Sequence, residues 1–198
     1  MSEHYFSSDP TSVSRPRSFA LSVEGMNVTF KSDSGVFSAD KVDKGSRVLI
    51  ETVLRVTELS DKRLLDIGCG YGTIGITLAK AGANVVMCDV NERALSLCEE
   101  NIKSNRVSAE CLVADGGIGA GEDFDIVVTN PPIRTGKQVF YRFFDNALNS
   151  LKEGGEMFVV IRKQQGAESA KKYIYGVFGN CEVIEKEAGY WILYSVKR

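Results

Sequence analysis

The sequence is poor in histidine: His4 is the only one among 198 residues. Histidine is a common ligand of zinc and the usual base of hydrolytic triads, so most histidine-based metal sites and triads are excluded. We therefore expect no metal site and interpret His4 as an ordinary surface residue. Any chemistry that this chain performs has to proceed without an imidazole.

The chain also lacks a cysteine pairing pattern, a targeting segment and a membrane-length apolar run. Its five cysteines form no C-x-x-C pair, and an odd number does not suit a disulfide framework, so we interpret them as small buried thiols. No basic-then-apolar segment opens the chain, and no apolar run is long enough to span a bilayer. These absences favour a cytoplasmic protein without a membrane partner.

The sequence has no large excess of acidic or of basic residues. The chain has 24 Lys and Arg against 26 Asp and Glu, a net charge of −2, so any nucleic-acid role must depend on a local patch. A hydrophobic content of 43% and a charged content of 25% are typical of a globular domain. We expect a single domain, with an arm and hairpin over residues 1–33 and the larger core over residues 34–198.

Hydrophobic periodicity predicts a β-hairpin followed by alternating strands and helices. Residues 19–23 and 26–30 alternate in polarity around Glu24-Gly25, which is typical of a hairpin. The remaining pattern predicts strands over 63–67, 84–88, 109–114, 124–129, 156–161, 181–187 and 190–196, with helices over 46–59, 73–80, 137–151 and 167–178 and another capped by Asn91. The fold class is therefore α/β, a Rossmann-like doubly wound sheet that is mostly parallel and ends in an antiparallel pair.

The most informative stretch is the glycine-rich turn that follows the strand over residues 63–67. Gly70, Gly72 and Gly75 match G-x-G-x-x-G, and Asp89 follows at the distance expected of a dinucleotide site. Asp66, two residues before Gly68, favours S-adenosylmethionine instead, because its carboxylate can support the loop or meet an ammonium but suits a pyrophosphate badly. A tight turn without a ligand is the structural alternative, although it needs fewer glycines.

Polar residues end four successive strands, namely Asp66, Asp89, Asp115 and Asn130. The carboxyl ends of strands in a doubly wound sheet line one crevice, so we expect a binding site there. Asp89 is placed to accept hydrogen bonds from the two hydroxyls of a ribose. Asp115 is placed to meet an adenine amino group, or it caps the turn that begins at Gly116; both readings stay open.

The segment Asn130-Pro131-Pro132-Ile133 carries the most specific chemistry. The first proline keeps Asn130 out of the α region, and the second fixes the next turn and removes another donor. What remains is a rigid pocket of acceptors, the Asn130 side-chain oxygen and the Pro131 carbonyl. Such a pocket suits an exocyclic amine, whose nitrogen lone pair it would aim at an electrophilic methyl group. Catalysis would then depend on positioning and need no strong base; a purely structural turn is the alternative.

Three further residues are candidates for contact with a substrate. Arg134 and Lys137 follow the proline segment and would suit nucleic-acid phosphates. Phe37 lies alone in a polar, glycine-containing segment and either packs beneath it or covers a ligand.

With these residues in view, the chain resembles the small-domain class I methyltransferases that modify guanine N2 in 16S ribosomal RNA, together with their stand-alone bacterial and archaeal relatives. The matching segments lie at residues 34–46, 65–75, 89, 130–137 and 163–167. The Asn-Pro-Pro-x motif also occurs in adenine-N6 and protein-glutamine methyltransferases, so it specifies amine methylation better than it specifies guanine.

The resemblance implies a seven-stranded sheet in the order 3-2-1-4-5-7-6 and S-adenosylmethionine as methyl donor. It implies that the donor is bound by Asp66, Gly68, Cys69, Gly70, Gly72, Asp89, Val90, Asp115, Gly116 and Asn130. Asn130 to Ile133 would hold the target amine. Two features depart from the pattern: Ile133 stands where many amine methyltransferases have an aromatic residue, and the second domain of the larger ribosomal enzymes is absent from this sequence.

The leading hypothesis is an S-adenosylmethionine-dependent N-methyltransferase that acts on an RNA base, with guanine N2 of ribosomal RNA or a ribosomal subunit as the expected target. A protein-glutamine or small-molecule amine methyltransferase is the main alternative. A nucleotide-binding module without turnover and a nicotinamide dehydrogenase are more remote.

Overall fold

A computed structural model describes residues 15–34, 36, 41–118, 124–133 and 136–198. Within these ranges the chain forms a two-stranded hairpin, a seven-stranded sheet and five α-helices. The elements follow one another as β1 Arg17–Val23, β2 Met26–Ser32, α1 Lys44–Val56, β3 Arg63–Ile67, α2 Thr73–Lys80, β4 Asn84–Asp89, α3 Glu92–Asn105, β5 Ala109–Val113, β6 Phe124–Thr129, α4 Lys137–Ser150, β7 Leu151–Arg162, α5 Ala167–Phe178, β8 Glu182–Glu187 and β9 Tyr190–Val196.

The large sheet has the strand order β5-β4-β3-β6-β7-β9-β8. Strand β9 runs antiparallel to β7 and β8, and the other neighbours are parallel. Counted from β3 as the first strand of the sheet, this order is 3-2-1-4-5-7-6. The predicted Rossmann-like architecture and its hairpin extension are therefore confirmed.

Helices bury both faces of the sheet, as its apolar central strands require. Successive side chains of a strand point to opposite faces, so Leu64 belongs to the core formed with α1, α2, α3 and the hairpin, whereas Leu65 belongs to the core formed with α4 and α5. Each face is closed by buried helix residues, such as Val53 and Ile76 on one side and Phe144 on the other. No helix in the described ranges is both long and apolar enough to cross a membrane.

Two buried carboxamides of α3 attach the hairpin to the sheet. Asn105 accepts a hydrogen bond from the Thr29 N–H at 3.0 Å and donates one to the Thr29 carbonyl at 2.7 Å. Asn101 makes the equivalent pair of bonds to the backbone of Lys31, at 2.7 and 2.9 Å, and also donates to the Tyr71 carbonyl at 3.0 Å. The backbone N–H and C=O groups of Thr29 and Lys31 at this edge of β2 are therefore paired, as they would be beside another strand. The bond to Tyr71 joins α3 to the glycine turn.

Three predicted boundaries are wrong by two residues or more. Helix α1 ends at Val56 and not at residue 59, because Thr57 adopts an extended conformation. Helix α1 begins at Lys44 and not at residue 46, because the Asp43 side chain accepts a hydrogen bond from the Ser46 N–H at 3.1 Å and caps the helix. Strand β7 begins at Leu151, five residues before its predicted start. Gly154 and Gly155 lie within this strand and exchange 2.9 Å backbone hydrogen bonds with Lys197.

Candidate active site

A cavity of about 750 Å³ opens at the carboxyl edge of the parallel strands, where the strand order reverses beside β3. Most of the predicted site residues line it: Gly68, Cys69, Gly70, Asp89, Val90, Asp115, Gly116, Asn130, Pro131, Pro132 and Ile133. Asp66, Gly72 and Lys137 do not line it. Phe37 and Arg134 lie outside the described residues. The cavity thus brings the glycine turn and the Asn-Pro-Pro segment together.

The glycine turn combines packing with an open backbone. A Cβ on Gly72 would lie 2.6 Å from Cδ1 of Ile76 in α2 and 2.8 Å from Sγ of Cys98 in α3, so this glycine allows the turn to pack closely on both helices. Gly70 has a φ of +57°, and no atom in the described part of the chain lies within 4 Å of the position that a Cβ would take. At Gly70 a ligand can therefore approach the main chain directly.

Asp66 lies within β3 and not at its exposed end. Its side chain is fully buried, and Oδ2 accepts a hydrogen bond from the Gly75 N–H at 2.9 Å. Its other oxygen, Oδ1, has no hydrogen-bond partner among the residues that the structure describes. Burial raises the pKa of Asp66 to about 7, opposed by the Gly75 hydrogen bond and assisted by the charge of Asp89. Of the two predicted roles, the observed contact matches support of the turn, and contact with the donor stays a prediction.

This buried carboxyl predicts a pH-dependent stability. Because its folded-state pKa of about 7 exceeds the ordinary 3.8, the folded state binds more protons between these values, and Asp66 lowers the free energy of unfolding as pH rises through that window. The cost at pH 8 is at most about 4 kcal/mol. The free energy of unfolding of Asp66→Asn, measured with urea, should therefore rise relative to that of wild type as the pH increases from 5 to 8. Parallel pH profiles for the two proteins would contradict this assignment.

Asp89 ends β4 and faces the cavity. One carboxylate oxygen accepts a hydrogen bond from the Gly70 N–H at 2.8 Å, and the other accepts one from the Asn91 N–H at 2.9 Å. Burial raises its pKa, opposed by these backbone hydrogen bonds. The Val90 N–H is a third backbone donor to this carboxylate, which still has an acceptor position left for a ribose hydroxyl. The predicted ribose contact is compatible with this geometry.

Asp115 lies just beyond β5 at the rim of the cavity. Both of its oxygens lie 2.7 Å from Nη2 of Arg142, a residue of α4 that also lines the cavity. The pair is exposed, with 60% of the Asp115 side chain and 45% of the Arg142 side chain accessible. An adenine amino group at Asp115 would have to share the carboxylate with this guanidinium, and the predicted adenine role stays a prediction.

Asn130 follows β6 and is oriented by the first turn of α1. Its Nδ2 donates hydrogen bonds to Oδ2 of Asp43 at 3.1 Å and to Oγ of Ser46 at 3.0 Å. Both amide hydrogens are thereby used, and Oδ1 remains as the acceptor of this cavity-lining side chain. Pro131 and Pro132 are buried behind it, which keeps the segment rigid.

Several cavity residues were missed by the sequence analysis as site residues. They are Asp43 and Ser46 at the start of α1, Arg142 on α4, and Arg162 and Tyr190 where β7 and β9 meet. Asp43 had a local signal, because aspartate followed by a helical pattern is typical of an N-cap. The other residues line the cavity because the fold brings distant segments to the same edge of the sheet. No local sequence pattern predicts which segments meet there.

Comparison with known proteins places this geometry in a family. The family model "Methyltransferase small domain" matches residues 27–194. The Bacillus subtilis protein YbxB is 39% identical over the full length of both chains. Ribosomal RNA small subunit methyltransferase C of Vibrio parahaemolyticus is 32% identical over 91% of this chain, which covers 53% of the Vibrio protein.

A solved structure is similar as well. The 16S rRNA N2 methyltransferase RsmC of T. thermophilus, in complex with AdoMet and guanosine, has a TM-score of 0.84 and 30% identity. The similarity covers 92% of this chain and 51% of that one, so the chain spans about half the length of these ribosomal RNA methyltransferases. The predicted resemblance is confirmed: the chain belongs to the methyltransferase small domain family, the predicted class of S-adenosylmethionine-dependent methyltransferases.

Proposed function

We propose that the protein transfers a methyl group from S-adenosylmethionine to the exocyclic N2 amine of guanine in ribosomal RNA. The observation that carries this proposal is Asn130, whose amide nitrogen is held by Asp43 and Ser46 while its oxygen remains as an acceptor beside the glycine turn. The names of the Vibrio and T. thermophilus relatives support RNA, and guanine N2 in particular, as the target.

The residues present suit the donor. The Asp89 carboxylate faces the cavity where a ribose diol would bind, and the turn at Gly70 leaves its backbone open to close approach. Pockets for cofactors of this kind combine apolar walls with a few well-placed polar groups, as this one does. When bound, S-adenosylmethionine supplies an electrophilic methyl group on a positively charged sulfur.

The chain's own contribution is to position the amine. Asn130 Oδ1 and the Pro131 carbonyl would accept the two N–H groups of a flat amine and direct the nitrogen lone pair across the cavity. The two hydrogen bonds on Nδ2 prevent the Asn130 amide from flipping, so the acceptor stays in place before the substrate arrives. Orientation of this kind can account for a large part of a rate enhancement without a base.

Tritiated-methyl transfer tests the proposal. Ribosomal RNA from a strain that lacks the protein and a total protein extract from the same strain are each incubated with the enzyme and labelled S-adenosylmethionine. We expect label in the RNA that is absent from the protein fraction. Label in protein alone would identify a protein-glutamine methyltransferase, and label in neither fraction would overturn RNA methylation.

A further inference from the structure

One wall of the cavity has so far contributed only the support of Asn130. It is formed by the start of α1, the end of β7 and the start of β9, and besides Ser46 it carries the polar residues Asp43, Arg162 and Tyr190. Asp43 hydrogen-bonds to Asn130, so this wall begins at the point where the target amine would be held. We call these three residues the acceptor wall.

The wall has a definite order. Arg162 and Tyr190 are paired across β7 and β9, and the Arg162 guanidinium lies 5.9 Å from the centroid of the Tyr190 ring. The position that a Cβ on Gly45 would occupy lies 2.8 Å from Cε1 of Tyr190 and 2.9 Å from Oδ2 of Asp43. The tyrosine ring therefore lies beside the carboxylate. Burial raises the pKa of Tyr190, the charge of Asp43 adds to this, and that of Arg162 opposes it. The sequence along the wall is therefore carboxamide, carboxylate, phenol ring, guanidinium.

Arg162 is also available for a ligand. Arg142, the other described arginine that lines the cavity, has Nη2 bound to Asp115. By contrast, no carboxylate in the described ranges forms an ion pair with Arg162, whose contact is the face of Tyr190. A guanidinium presents a planar set of donors that matches two adjacent acceptors.

This order matches one edge of guanine. From its N2 amine, guanine presents a second donor at N1–H and then two acceptors, O6 and N7. Adenine differs, because its N6 amine is flanked by acceptors only, and a carboxylate beside it would face a lone pair. For the guanine whose N2 amine faces Asn130, we propose that Asp43 accepts a hydrogen bond from N1–H and that Arg162 donates hydrogen bonds to O6 and N7. This inference rests on the proposed function and assigns its base specificity to Asp43 and Arg162.

Nucleoside binding to the full chain loaded with S-adenosylhomocysteine tests the assignment. Guanosine is compared with 7-deazaguanosine, which lacks the N7 acceptor, with 2-aminopurine riboside, which keeps the N2 amine but lacks N1–H and O6, and with adenosine. Each lost pair of hydrogen bonds should cost about 10-fold in Kd. We therefore expect wild type to bind guanosine at least 10-fold more tightly than 2-aminopurine riboside or adenosine. Because the change is made in the ligand, this comparison does not depend on any variant folding.

Variants then assign the effect to residues. Arg162→Gln should weaken guanosine binding about 10-fold, with little change for 2-aminopurine riboside. Asp43→Asn should weaken guanosine binding at least as much, and because Asp43 also holds Nδ2 of Asn130, it should weaken binding of 2-aminopurine riboside to a smaller extent. Arg162→Gln should also remove the difference between guanosine and 7-deazaguanosine. Lys163→Gln is the matched control, because Lys163 is the adjacent cation but lies over Trp191, outside the cavity lining. It should bind all four nucleosides as wild type does.

Failure of this inference is distinguishable from failure of the proposed function. A protein that methylates ribosomal RNA but binds the four nucleosides equally overturns the role of the acceptor wall and leaves the function standing. The same holds if Arg162→Gln behaves like Lys163→Gln. A protein that prefers guanosine in the expected pattern, but transfers no label to RNA, supports the acceptor wall and contradicts the proposed RNA substrate.

Discussion

Replacement of Asn130 by alanine is expected to lower the rate of methyl transfer by two to three orders of magnitude, while the affinity for S-adenosylmethionine changes by less than about 3-fold. The substitution removes the side-chain acceptor of the amine pocket. It leaves the hydrogen bond between Asp89 and the glycine turn in place. Single-turnover transfer and calorimetric binding of the donor, made on the same preparation, separate the two effects.

A second variant tests whether the orientation of the amide is what matters. Ser46→Ala removes one of the two acceptors that hold Asn130 Nδ2 and leaves Oδ2 of Asp43 as the other. We expect a loss of about 10-fold in kcat, smaller than for Asn130→Ala, with little change in donor affinity. Wild-type turnover in Asn130→Ala would contradict the pocket assignment outright.

Replacement of Asp89 by alanine is expected to weaken S-adenosylmethionine binding about 100-fold, since hydrogen bonds to a charged acceptor contribute roughly 1.5–3 kcal/mol each. Asp89 also accepts the Gly70 and Asn91 N–H groups, so part of the loss would come from the turn itself. Asp115→Ala is the informative comparison, because that carboxylate is exposed and bound by Arg142. Its loss should be no more than about 5-fold. Equilibrium calorimetry with each variant measures both values.

A change in the ligand separates the ribose contact of Asp89 from its support of the turn. Wild type should bind the 2′-deoxy analogue of methylthioadenosine at least 10-fold more weakly than methylthioadenosine, and Asp89→Ala should show little difference between the two. If the analogue is penalised equally in both proteins, the ribose assignment is wrong and Asp89 acts through the turn.

Much of this fold could be predicted because its signals are local. Strand β3, helix α2 and strand β6 have the predicted ends, since apolar runs, a glycine turn and a proline pair mark them within a few residues. The proximity of Asn130 to the glycine turn followed from one topological rule about the carboxyl ends of parallel strands.

What could not be predicted depends on distant segments or on single-residue shifts. Asp66 was placed at the carboxyl end of its strand, where a ligand would bind, but it lies one residue before the end of β3 and is fully buried. Asp43, Arg162 and Tyr190 come from three separate segments, and only the packing of α1 on β7 and β9 brings them to one wall. The early start of β7 depends on hydrogen bonds to Lys197, which no pattern near residue 151 reports.

Methylation of guanine N2 is tested by mass-spectrometric mapping of methylated nucleosides in ribosomal RNA from a strain lacking this protein. We predict the loss of N2-methylguanosine at a defined position, restored by the wild-type chain but not by Asn130→Ala. Unchanged N2-methylguanosine at every position, or the loss of a methyl group from another atom such as adenine N6, would contradict this prediction.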